Sequence, residues 1–145
     1  GLAVGLGHPV LRLDAAIGID EQRIVETYEE LRALTRAGTP SSEADFRFHL
    51  AIAEAANNPR FSEFLRLIGP TIIPRRVFSP DDGAPLPAEF LRLLDSEHTA
   101  IVTAILSGDP EAARAAMRAH LIDSQARYCA FLRRIRAGDG EAATG

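Results

Sequence analysis

Apolar residues recur every three to four positions along almost the whole chain after residue 20. This is the spacing of α-helices that bury one face, and no stretch of five or more residues shows the apolar–polar alternation of a strand. The pattern predicts an all-α protein, folded as an antiparallel bundle of about five to six helices. Residues 1–19 contain four glycines and a proline and are expected to form an irregular lead-in.

Capping and helix-breaking residues set the boundaries of the first three helices. The first helix is predicted over 20–36 with Asp20 as its N-cap, and the second from Ser41 or Ser42 to Asn57. Asn58 should cap a third helix that begins at Pro59, since a proline there loses no internal hydrogen bond. Two further prolines predict a kink or break near Gly69. The third helix should bury four apolar residues, namely Phe61, Phe64, Leu65 and Ile68.

The fourth helix is predicted over 88–107, and Asp109 is expected to cap a fifth helix that runs to about Arg136. Residues 137–145 are expected to be a disordered tail, which leaves one helical domain over 20–136. The single cysteine excludes an intrachain disulfide scaffold. No apolar run approaches the roughly 18–20 residues of a membrane span, and no signal peptide is recognisable, so a cytoplasmic location is expected.

Charge narrows the classes of partner. The sixteen basic residues are outnumbered by twenty acidic ones, which gives a formal net charge of −4. A general surface for the DNA backbone needs clustered positive charge, so this domain is not expected to bind DNA through such a surface.

Three histidines stand inside predicted helices where the periodicity calls for apolar residues: His49, His98 and His120. Asp45 lies one helical turn before His49, on the same helix face. A single histidine in such a position is usually a hydrogen-bonded core residue. Three of them together would leave several buried polar groups unsatisfied, whereas one divalent cation would satisfy them all. Imidazole and carboxylate suit zinc in the first place, with nickel, manganese or iron as alternatives.

Two segments carry a family resemblance. Residues 44–59, ADFRFHLAIAEAANNP, contain D-x-x-F-H followed by A-x-x-N-P, and residues 97–121 contain E-H…I…A-I…G-D…A-A…M…H-L. Together they resemble the FCD domain, the C-terminal effector-binding part of the FadR subfamily of GntR-type transcriptional regulators. The resemblance covers about residues 20–135.

The resemblance implies a helical metal-binding domain that senses a small organic acid. In the metal-containing branch of that family an Asp and three His hold a divalent cation, and these match Asp45, His49, His98 and His120. The cation and nearby basic groups receive a carboxylate effector, and retention of the full set counts against an acyl-CoA ligand. Arg75 and Arg76 fall roughly where the family places pocket-facing basic residues. The alternative for this pair is two solvated arginines at a helix end.

The sequence also differs from the family pattern in two respects. The family's N-terminal winged helix-turn-helix is not recognisable in residues 1–40, and the first FCD helix is not recognisable in residues 1–19. The expected partners are therefore a small carboxylate, a second copy in a homodimer, and operator DNA only through a winged helix-turn-helix missing from this sequence.

Two other functions remain open. A metal-dependent hydrolase or lyase acting on a small carboxylate would use the same cation to activate water. It also needs a general base, and neither Glu54 nor Glu97 has the spacing to lie beside the metal. The other alternative is a metal-stabilised dimerisation module without an effector.

Overall fold

The computed structural model describes residues 18–72 and 87–142. Within these ranges the chain forms five α-helices and no strand, which confirms the predicted all-α class. The helices are α1 (Ile19–Arg36), α2 (Ser42–Ala55), α3 (Pro59–Ile72), α4 (Ala88–Leu106) and α5 (Pro110–Ala142). None of the described helices is long and apolar enough to cross a membrane.

The core lies where α1, α2 and α4 meet. α1 packs against both α2 and α4, while α3 packs on α2 and α5 packs on α4. Phe48 of α2 is fully buried at the centre of this region, and its ring lies 6.0 Å from that of Tyr28. The Tyr28 hydroxyl shares a hydrogen bond of 2.8 Å with Thr99, which joins α1 to α4. The apolar core comprises Ile24, Tyr28, Leu31, Ala44, Phe48, Ala51, Ile101 and Val102.

Two helices begin at the N-cap residues that the local sequence predicted. The Asn58 side chain accepts a hydrogen bond of 3.2 Å from the backbone of Arg60, and Asp109 accepts one of 2.9 Å from the backbone of Ala112. Both predicted caps are confirmed. The cap of α1 is Gly18 rather than Asp20, because the helix begins at Ile19 and takes Asp20 into its first turn. There an acidic side chain favours the positive end of the helix dipole.

The third helix differs from the prediction in two ways. It continues through Gly69 to Ile72, so a break near Gly69, one of the two predicted alternatives, is wrong. A Cβ atom added at Gly69 would overlap the ring of Phe46, so the glycine allows α3 to approach α2 closely. Phe61 and Phe64 are 54% and 56% exposed rather than buried. The reason is that α3 packs only against α2 in the part of the chain described, so most of its apolar face has no cover there.

The last helix is longer than predicted. α5 continues to Ala142, beyond the expected end at Arg136. Residues 137–142 contain two glycines, each of which costs roughly 1 kcal/mol in a helix, but no proline that would remove a backbone donor. Residues 1–17 of the expected lead-in and residues 143–145 lie outside the described ranges.

Candidate metal centre

Three helices bring one polar cluster together inside the bundle. α2 contributes Asp45 and His49, one turn apart on the same face, α4 contributes His98, and α5 contributes His120. One potential ligand atom from each of the four residues lies within 4.8 Å of all the others. The four positions singled out by the sequence pattern therefore converge on one point.

The distances show which atoms face this point. Nε2 of His98 lies 3.1 Å from Oδ1 of Asp45, and Nε2 of His49 lies 3.7 Å from the same oxygen. Nε2 of His120 lies 3.2 Å from Nε2 of His49. All three imidazoles thus present Nε2 to the cluster, together with one carboxylate oxygen.

Burial differs between the two sides of the cluster. The side chains of His98 and His120 are 3% and 5% exposed, whereas those of His49 and Asp45 are 12% and 24% exposed. Phe48 lies against the apolar side, with its ring 5.5 Å from that of His98 in an edge-on arrangement. The cluster is therefore backed by the core and is most accessible from the side of α2.

Burial and neighbouring charges set the protonation states of the cluster residues. Burial would raise the pKa of the Asp45 carboxyl, but the neighbouring histidines favour its charged form and lower the pKa from 3.8 to about 2. Burial lowers the pKa of His49 from 6.5 to about 4, and the attraction of Asp45 only partly opposes this. Burial also lowers the pKa of His120. At neutral pH both imidazoles are uncharged and Asp45 is ionised, as binding to a cation requires.

A second group of polar residues lies behind His120. Nδ1 of His120 is 2.8 Å from Oε2 of Glu97, and Arg127 donates hydrogen bonds of 2.7 and 2.8 Å to the two oxygens of Glu97. Burial would raise the pKa of Glu97, but the hydrogen bonds from Arg127 and His120 keep it below the ordinary value. Sequence reasoning correctly kept Glu97 away from the ligand point but missed this contact. Arg127 follows His120 by about two helical turns, a spacing that could have indicated a shared face.

The donor set fits a divalent metal ion. Nε2 of His98 is buried and makes no well-aligned hydrogen bond, although Oδ1 of Asp45 lies 3.1 Å away, and this is a costly arrangement for a polar atom in the core. Ligands about 2.0–2.1 Å from a tetrahedral zinc ion lie roughly 3.3–3.4 Å from one another. The distances of 3.1, 3.2 and 3.7 Å across the cluster bracket this range. A cation at this point would give Nε2 of His98 a partner for its free electron pair.

Arg75 and Arg76, the arginines predicted to bind the anion, lie outside the described residues. Arg47, close in sequence to two of the cluster residues, is exposed and forms an ion pair with Glu30 on α1. It therefore points away from the cluster.

The chain is similar to known transcriptional regulators. A protein of Escherichia coli K12 named as an L-lactate dehydrogenase operon regulatory protein is 38% identical over 81 residues, which cover 56% of this chain and 31% of that protein. The regulator LutR of Bacillus subtilis is 28% identical over 116 residues, which cover 80% of this chain and 53% of LutR. The chain thus spans about a third to a half of the length of these relatives.

The family comparison covers about three quarters of the chain. The family model of the FCD domain matches residues 15–123, a range that includes all four residues of the cluster. Both relatives named above are regulators of transcription by name, which agrees with this match. The chain therefore belongs to the FCD domain family, the ligand-sensing domain of GntR-family transcriptional regulators.

Proposed function

We propose that this domain binds one divalent cation through Asp45, His49, His98 and His120 and senses a small organic acid at that cation. The observation that carries the proposal is the convergence of four potential ligand atoms, one of which is a buried nitrogen of His98 that makes no well-aligned hydrogen bond. Zinc is the first candidate for the metal because it accepts this mixture of imidazole and carboxylate. Nickel, manganese and iron accept the same donors and are the alternatives.

The proposed effector is a carboxylate. A zinc ion that expands from four to five ligands, or a metal that accepts six, retains one or two positions beside the four protein donors. Oxygens of a small organic acid suit these positions, and a 2-hydroxy acid offers two oxygens in chelating geometry. One relative is named after an L-lactate dehydrogenase operon, which supports testing this class of acid first. One of the two neighbouring arginines, Arg75 or Arg76, is proposed to hold the carboxylate by paired hydrogen bonds.

The proposed regulatory step follows from the position of the site. Its donors come from α2, α4 and α5, so a bound effector can alter the packing of three helices at once. Such a ligand shifts the protein only toward the conformation that it binds more tightly. We propose that the intact regulator is a homodimer and that this shift changes how its DNA-binding domains engage an operator.

The alternative as a metal-dependent hydrolase or lyase needs a general base, and the contacts of Glu97 do not suit it to that role. Glu97 is the carboxylate next to His98 in sequence, but Arg127 binds both of its oxygens and His120 contacts one of them. It is therefore not free to accept a proton from water at the cluster. The regulatory role of the relatives agrees with a sensor rather than an enzyme.

The experiment combines metal analysis with a thermal-shift screen of small organic acids. The purified chain should contain one divalent ion per molecule, and its unfolding temperature should rise with the matching acid. His98→Ala and His120→Ala should lose both the metal and the response. Glu111→Ala, which alters an exposed carboxylate of α5 paired with Arg114, should retain both. Retention of the metal by both histidine variants would rule out the proposed site.

A further inference from the structure

The contacts behind His120 form a continuous series that runs from Arg127 on α5 to Glu97 on α4 and returns to His120 on α5. Arg127 of α5 donates to both oxygens of Glu97 on α4, and Oε2 of Glu97 contacts Nδ1 of His120 on α5. The side chains of Glu97 and Arg127 are only 16% and 19% exposed, so water competes weakly for these bonds. Glu97 and Arg127 lie outside the four residues proposed as metal ligands, whereas His120 is one of the four.

The direction of the hydrogen bonds follows from the chemistry of the groups. A guanidinium has donors only, so both oxygens of Glu97 accept from Arg127. An ionised carboxylate has no proton to donate, and Nδ1 of His120 must therefore carry the hydrogen in the remaining contact. The other ring nitrogen, Nε2, then has a free electron pair. It is this nitrogen that faces the cluster, 3.2 Å from Nε2 of His49.

The position of Arg127 is itself defined by further contacts. Its Nη2 donates a hydrogen bond of 3.0 Å to Oγ of Ser124, one turn earlier on α5. Its guanidinium carbon lies 5.6 Å from the centre of the Phe90 ring, at the start of α4. Contacts on two helices thus hold the guanidinium in the plane that meets Glu97, as paired Arg–carboxylate hydrogen bonds require.

We propose that Glu97 and Arg127 are positioning residues that hold His120 as the Nδ1–H tautomer, with Nε2 available to a divalent cation. This inference rests on the proposed metal site and extends it. Carboxylates that receive the second N–H of a metal-binding histidine orient the ring and raise its basicity, and their loss typically weakens metal binding about 10- to 100-fold. Arg127, about two turns beyond the last ligand, thereby influences metal affinity through Glu97.

A purely structural role would give a different result. If the Arg127–Glu97 pair served only to fasten α5 to α4, its loss would lower stability without a specific effect on metal affinity or on the His120 tautomer. Metal affinity measured on folded protein, together with the tautomer itself, distinguishes the two roles.

The first test uses the unaltered 145-residue chain. Long-range proton–nitrogen NMR of the imidazole rings at neutral pH, without metal and with zinc, reports which nitrogen of His120 carries the hydrogen. We expect the Nδ1–H form in both samples. Finding the hydrogen on Nε2 in the metal-free sample would overturn the proposal without any variant that has to fold.

The second test measures zinc affinity by competition with a chelator. Glu97→Gln, whose amide can also turn its donor toward Nδ1, should bind zinc about 10- to 100-fold more weakly than the unaltered chain. Arg127→Met should change the affinity in the same direction. Glu89→Gln is the matched control, since it alters an exposed carboxylate of α4 paired with Arg92, and it should leave the affinity unchanged.

The outcomes separate this inference from the proposed function. If the unaltered chain binds zinc and Glu97→Gln binds it within about twofold, the positioning role is wrong while the metal site stands. If the unaltered chain binds no stoichiometric zinc or other divalent ion, the proposed metal site itself is wrong.

Discussion

At the scale of single residues, the cluster was predictable because its members conflict with their surroundings. His98 and His120 occupy positions on apolar helix faces, and both are buried. A polar residue in such a position needs a partner, and that requirement indicated a shared site. Glu97 and Arg127 produce no such conflict, because charged residues between apolar ones are normal on a half-exposed helix. Their roles emerged only when the packing of α4 against α5 was known.

The lowered pKa of His49 predicts a pH-dependent stability. In the unfolded chain this group has a pKa of 6.5, whereas in the folded chain the pKa is about 4. Between these values the unfolded state binds more protons, so stability falls as the pH is lowered through this window. The metal-free chain should lose on the order of 3 kcal/mol from this residue between pH 7 and pH 4.

Urea unfolding at several pH values, with a chelator present, measures this effect. His49→Gln should show a shallower decline of the free energy of unfolding between pH 6.5 and pH 4. The remaining slope would come from other groups, including His120, whose pKa is also lowered. An unchanged slope in the variant would show that His49 is not buried in its neutral form.

Gly69 provides a second test at this scale. Because a Cβ atom at this position would overlap the ring of Phe46, Gly69→Ala should destabilise the domain by roughly 1–3 kcal/mol, although alanine is the better helix former. A Gly69→Ala variant with the same free energy of unfolding as the unaltered chain would contradict the close approach of α3 to α2.

At the scale of elements, local signals predicted helix starts better than helix ends or buried faces. Asn58 and Asp109 cap helices as predicted because capping depends on only a few neighbouring residues. The buried face of α3 was predicted incorrectly, since amphipathicity identifies an apolar face but not the element that covers it. The end of α5 was also missed, because glycines weaken a helix without stopping it.

The cap at Asp109 allows a quantitative test. Its side chain accepts a hydrogen bond from the backbone of Ala112 at the start of α5, the helix that carries His120. Asp109→Ala should lower the free energy of unfolding by about 1 kcal/mol, whereas Asp109→Asn should retain most of the stability, since asparagine caps as well as aspartate. Equal losses for the two variants in urea unfolding would argue against a capping role.

At the scale of the whole molecule, the four cluster residues come from three of the described helices. α2 and α4 pack around α1, and α5 packs on α4, so the donor residues sit where separate helices meet. The helical periodicity predicted the fold class, but periodicity cannot specify which helices become neighbours. The chain's membership of the FCD family and the convergence of the four donors together support a metal-dependent sensor.

X-ray absorption spectroscopy at the metal edge tests the metal site most directly, because it reports the ligands of the ion in solution. The zinc-loaded chain is expected to show three imidazole nitrogens and at least one oxygen at about 2.0–2.2 Å. His98→Ala should lose one imidazole from this set or fail to hold the ion. A spectrum with only oxygen ligands, or one unchanged in His98→Ala, would contradict a metal site formed by Asp45, His49, His98 and His120.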